Sequence, residues 1–150
     1  MSLLEKISAD IMAAMKNREA EKLDALRGIK AALLIAKTAK GGSDTISPEE
    51  ELKILQKLVK QRKESAEIYK AQNRTDLYEE EINQANIIEK YLPAQMSDDE
   101  IKSFLKNLIS ETGLNSEKNM GKLMGMATKQ LAGKANNSVV SKLLREILSA

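Results

Sequence analysis

The sequence contains no histidine, no cysteine and no tryptophan, only two prolines, and four aromatic residues in all (three Tyr, one Phe). Each shortage removes a class of chemistry. Without His or Cys there is no Ser-His-Asp triad, no thiolate nucleophile, no disulfide and no zinc, haem or iron–sulfur site built on those ligands. Acid–base work would fall to Asp, Glu, Lys or Tyr, and a bound metal would be a hard cation held by oxygen. Few β-branched and aromatic residues leave little to build strands from. No lipidation motif is visible, and no apolar h-region stands ahead of a cleavage site, so a secretory signal is not expected. The longest clean apolar run, Ala31–Ala36, is six residues, against the roughly 20 that span a bilayer. The expectation is a cytoplasmic protein that does not enter a membrane.

What is present is charge and helical periodicity. Charged residues make up 31% of the 150-residue chain and the net charge is +2. That total hides an asymmetry: residues 1–92 hold 16 basic and 16 acidic side chains. Residues 112–150 hold six basic residues (Lys118, Lys122, Lys129, Lys134, Lys142, Arg145) against Glu117 and Glu146, a net +4. A second basic run, Lys53, Lys57, Lys60, Arg62 and Lys63, contains no acid and reads most simply as a solvated helix face.

Leu3, Leu4, Ile7, Ile11 and Met15 follow the spacing of one helix face. A second helix runs through Leu23, Leu26, Ile29, Leu33 and Ala36 to a stop at Gly41-Gly42. Ser47-Pro48-Glu49-Glu50 is a strong helix start: a capping Ser, Pro in the first turn and the S-x-x-E box. That helix runs to about Ala71. Asn73 or Thr75 is expected to cap the next one, which carries Leu77, Ile82, Ala85, Ile88 and Tyr91 and ends at Leu92, before Pro93. Ser97-Asp98-Asp99-Glu100 repeats the box ahead of Ile101, Phe104, Leu105, Leu108 and Ile109. Residues Glu117 to Ala132 read as a helix stopped by Gly133, and Asn136 or Asn137 caps the last. The expected fold is all-α: a four-helix bundle over residues 1–92 and a three-helix subdomain over 97–150.

The distinctive piece is Met120-Gly121-Lys122-Leu123-Met124-Gly125, followed by Gly133-Lys134-Ala135-Asn136. Two glycines at i, i+4 lie on one helix face and let another backbone come close. That backbone is either a neighbouring helix or a phosphate–sugar chain, and spacing alone leaves both open. Lysines beside a smooth strip suit phosphate contacts, which position a nucleic acid without reading its sequence. Gly133-Lys134 is not a P-loop, because no Gly stands at the required offset and Ala135 replaces Ser or Thr. Arg62 is placed to pair with an acid or a phosphate. Glu79-Glu80-Glu81 and Asp98-Asp99-Glu100 raise carboxylate catalysis or Mg²⁺, but the second cluster is explained by its helix N-terminus. No catalytic residue, cofactor or metal site is expected.

Tyr91-Leu92-Pro93-Ala94-Gln95-Met96-Ser97-Asp98-Asp99-Glu100-Ile101, the Met120–Gly125 segment, Gly133-Lys134-Ala135-Asn136, Gln61-Arg62-Lys63-Glu64-Ser65 and Asn73-Arg74-Thr75-Asp76-Leu77 together resemble the GatB/YqeY family across essentially the whole chain. The resemblance implies kinship with the tail of the B subunit of the tRNA-dependent amidotransferase. That enzyme, a carbon–nitrogen ligase, uses glutamine to amidate Glu-tRNA(Gln) or Asp-tRNA(Asn), and its tail contacts tRNA. It implies tRNA as partner, with the amidotransferase or an aminoacyl-tRNA synthetase as protein partners. The reactive parts lie elsewhere, so no activity is expected of this chain alone. On this reading Lys118, Gly121, Lys122, Gly125, Lys129, Gly133, Lys134 and Lys142 form the nucleic-acid-binding set. There are departures. Lys129 falls near a Pro usual in stand-alone members, Ala132 stands where Lys is frequent, and Asn136 resembles the amidotransferase tail. The alternative is a helical module that binds protein, its glycine strip receiving a partner's helix.

Overall fold

The computed structural model describes residues 2–39, 41 and 46–150. Among these there are seven α-helices, a single 3-10 turn and no strand. The chain divides into two compact units, Met1–Leu92 and Pro93–Ala150. Each has its own hydrophobic core.

The first unit contains α1 (Leu3–Lys16), α2 (Ala20–Ala39), α3 (Pro48–Ala71) and α4 (Thr75–Glu89). Ser2 and Ser47 accept hydrogen bonds from Glu5 N–H and Glu50 N–H, each at 3.2 Å, satisfying orphan donors of α1 and α3. α2 ends at Ala39 and Gly41 follows at φ +89°; the other glycine of the expected stop, Gly42, lies outside the described residues. Two expectations are corrected. Neither Asn73 nor Thr75 caps α4. Asn73 takes a left-handed φ of +58° just beyond α3, a conformation its short amide side chain tolerates. The N-cap is Arg74, whose guanidinium instead meets the Asp76 carboxylate at 3.2 Å. α4 also stops earlier than Leu92: Lys90, Tyr91 and Leu92 donate to carbonyls three residues back, a tightened exit before Pro93.

Ile7, Leu26, Ile29, Leu33, Leu55 and Ile88 are fully buried. The expected α1 stripe overshoots at its last member: Met15 is 55% exposed and Ala14 is buried in its place. Seven residues return close to the azimuth of Ile7, whereas eight overshoot it by about 80°. Across the helices, Arg62 of α3 reaches Glu81 of α4 at 3.4 Å, and Lys63 reaches Glu89 at 2.7 Å. The Tyr91 hydroxyl donates to Asp10 on α1, and Lys6 lies 5.5 Å above the Tyr91 ring.

The second unit holds α5 (Asp98–Thr112), a 3-10 turn (Glu117–Asn119), α6 (Met120–Gln130) and α7 (Asn137–Ser149). The Ser97–Glu100 capping box is complete in both directions. Gly113 ends α5 at φ +71°. Asn136 caps α7, its Oδ1 accepting from Ser138 N–H at 2.9 Å. The single helix expected over Glu117–Ala132 is instead a 3-10 turn leading into a shorter α-helix that ends at Gln130. The chain must reverse to start α7, and it does so through Gly133 at φ +76°, with Lys134 N–H bonded to the Leu131 carbonyl. Ile101, Leu105, Leu123, Ala127, Val140 and Leu144 fill the core between α5, α6 and α7.

Candidate nucleic-acid interface

α6 is anchored by Leu123 and Ala127, both fully buried. With about 100° per residue, Gly121, Lys122, Gly125 and Lys129 then share the opposite face, with Met126 on its flank. All five are exposed. A Cβ added at Gly121 or Gly125 would meet nothing within 4 Å. No helix of this unit packs on the strip, so tight packing inside the unit does not account for the glycines. The result is a shallow, smooth surface edged by two lysines and flanked by the Met126 side chain, which is 38% exposed.

The charge on this surface is unspent. Among the described residues, none of Lys118, Lys122, Lys129, Lys134 and Lys142 enters an ion pair. The later part of the basic run of α3 behaves differently: Arg62 and Lys63 are held by acids of α4, and Lys60 comes within 4.0 Å of Glu64. Arg62 therefore answers to a carboxylate within its own unit.

The Gly133-Lys134 turn is fastened to the segment leading into α5. Gln95 Nε2 donates to the Gly133 carbonyl at 2.7 Å and to the Pro93 carbonyl at 2.8 Å. The Met96 N–H donates to the Lys134 carbonyl at 2.9 Å. Gly133 is buried with φ +76°, while the Lys134 side chain is exposed. Two stretches that are separate in sequence, Pro93–Met96 and Gly133–Lys134, thus form one bonded corner. Gln95 and Met96 belong to the Tyr91–Ile101 motif but not to the binding set expected from sequence. No short-range pattern marks them, because their partners lie 38 residues further on.

The candidate residues are dispersed over four places. Gly121, Lys122, Gly125 and Lys129 share the open face of α6. Lys118 sits in the 3-10 turn that feeds it, Gly133 and Lys134 in the bonded corner, and Lys142 on the exposed side of α7. Among the described residues, no group of three or more acidic side chains is placed to hold a metal ion, and no helix is long and apolar enough to cross a membrane. Of the two acidic clusters, Glu81 is engaged by Arg62 and Glu100 by the Ser97 cap.

The sequence model of a family described as Yqey-like protein matches residues 4–148. A protein of Pyrenophora tritici-repentis named "Altered inheritance of mitochondria protein 41, mitochondrial" is 30% identical, with 99% of this chain and 82% of that protein aligned. Proteins of the same name from Meyerozyma guilliermondii and Clavispora lusitaniae are 32% and 34% identical, covering 91% and 76% of this chain and 71% and 66% of theirs. Their names correct the cytoplasmic expectation: relatives of this chain are named as mitochondrial. An apolar h-region is a mark of secretion and does not tell the cytosol from an organelle.

Proposed function

The chain belongs to the YqeY-like family, and from that premise we propose that it is an accessory module that binds tRNA through the phosphate backbone. The observation that carries this reading is the open face of α6, where Gly121 and Gly125 leave room for a backbone and Lys122 and Lys129 stand unpaired at its edge. Lysine is a point charge suited to phosphate oxygens, and such contacts fix position rather than sequence. Lys118, Lys134 and Lys142 extend the basic surface of the same unit. Recognition is then of tRNA shape. The amidation of Glu-tRNA(Gln) or Asp-tRNA(Asn), to which the family resemblance connects the chain, is carried out by other proteins. A chain without Cys offers no nucleophile for the cysteine-based class of glutaminase.

The test is a gel-shift titration of bulk tRNA at two salt concentrations. Affinity should fall steeply with salt, and Lys122→Glu with Lys129→Glu should lower it and flatten the slope by about one per lysine. Binding no tighter than to a random duplex, or unchanged by the two substitutions, would sink the proposal.

One observation favours a second reading, in which the strip receives a partner's helix: Met126 offers apolar area beside Gly125. Affinity capture with and without nuclease separates the two readings. Partners that survive nuclease favour protein, and partners lost with it favour RNA.

A further inference from the structure

The first unit carries a groove that the RNA reading does not use. α2 presents Ala32, Ile35, Ala36 and Ala39, and α3 faces them with Ile54 and Leu58, Gln61 lying one turn on. The space between them is about 330 Å³ and is predominantly apolar. Ile35, one turn before the end of α2 and beside this hollow, is 71% exposed. Three alanines at this spacing thin α2 along one side, so that a third helix could approach the floor.

The charge among the residues that line the groove is basic. Lys57 lines it and Lys53 precedes it by one turn of α3. Neither is in an ion pair among the described residues, and Lys60, next along the same row, reaches only Glu64, at 4.0 Å. We propose that this groove docks an amphipathic helix of a partner protein, with apolar anchors on the floor and Asp or Glu along the edge that meets Lys53 and Lys57.

Shape and charge choose among occupants. The lining spans eight residues of each helix, 32–39 and 54–61, about 10 Å from first to last, which is two turns and suits anchors at i, i+3 or i+4, and i+7. A nucleic acid would bring phosphates onto an apolar floor with no donors beyond Gln61 and the lysine edge. A flat lipid surface would touch Ile35 but not the alanines beneath it. A second copy docking the same groove symmetrically would set lysine edge against lysine edge.

The test places a photoreactive benzophenone side chain at position 35 of the full chain in its native cells, with the adducts identified by mass spectrometry. The expected adduct is a peptide of another protein with apolar residues at helical spacing and Asp or Glu beside them. Its yield should fall about tenfold when Lys53→Glu and Lys57→Glu are combined, as loss of complementary charge slows encounter. Both lysines are exposed, so an unchanged circular dichroism spectrum and melting temperature will show that the variant is folded. As a second variant, Ala36→Leu fills the groove and should also abolish the adduct. The proposal is overturned by no adduct, by adducts to a second copy, to nucleic acid or to lipid, or by a yield indifferent to the lysine reversal.

Discussion

The Tyr91 hydroxyl donates to Asp10 Oδ2 at 2.6 Å, joining residues 81 apart in sequence. It ties the last turn of the first unit to the middle of α1, and Lys6 closes over the ring. Burial, then the hydrogen bond to Asp10, then its negative charge, raise the Tyr91 pKa well above the ordinary tyrosine value. The folded protein therefore holds this proton more tightly than the unfolded chain. That contribution is complete below the unfolded value of about 10 and is lost as pH rises beyond it. Tyr91→Phe should cost about 1 kcal/mol at neutral pH. The gap between wild type and variant, followed by urea unfolding, should stay level up to about pH 9 and narrow above about pH 10.

Gly125 separates stability from binding. It sits inside α6 with open space where a Cβ would be, so Gly125→Ala removes a helix penalty of about 1 kcal/mol without a clash. The thermal melt should move up. If a tRNA backbone lies on this face, affinity should drop several-fold in the same variant. A more stable protein that binds tRNA equally well would remove the glycines from the interface.

Gly28 offers a control in the other unit. It lies within α2, and a Cβ there would meet Arg62 Nη2 at 3.7 Å, an ordinary contact. Gly28→Ala should therefore stabilise by roughly 0.5–1 kcal/mol in a denaturant titration. The Arg62–Glu81 pair should remain, and tRNA binding should not change.

Gly133→Ala should act in the opposite direction. At φ +76° a side chain costs roughly 1–2 kcal/mol in backbone strain. Gly133 is also buried, at the corner where Gln95 and Met96 bond to this turn. Unfolding of the second unit, followed by hydrogen exchange, should become easier, and residues of α1–α4 should keep their protection.

Much of the helical pattern was legible because capping is local chemistry. Ser97-Asp98-Asp99-Glu100 and Ser47-Pro48 satisfy backbone donors within four residues, so their meaning is written in the string itself. Asn73 was misread for the same reason: an Asn near a helix start caps well, but it also tolerates a left-handed backbone, and local sequence does not choose between them. The spacing of Gly121 and Gly125 placed them on one face, yet whether anything covers that face depends on where α5 and α7 pack. Arg62, Tyr91 and Gln95 have partners 19, 81 and 38 residues away, out of reach of any periodicity.

The bonded corner between Met96 and Lys134 gives the molecule a native reporter. The Met96 amide hydrogen is spent on the carbonyl of the residue whose side chain would hold a phosphate. A ligand that shifts the Lys134 backbone would lengthen or shorten that bond. The chemical shift of one backbone amide would then report on that movement, with no side chain altered.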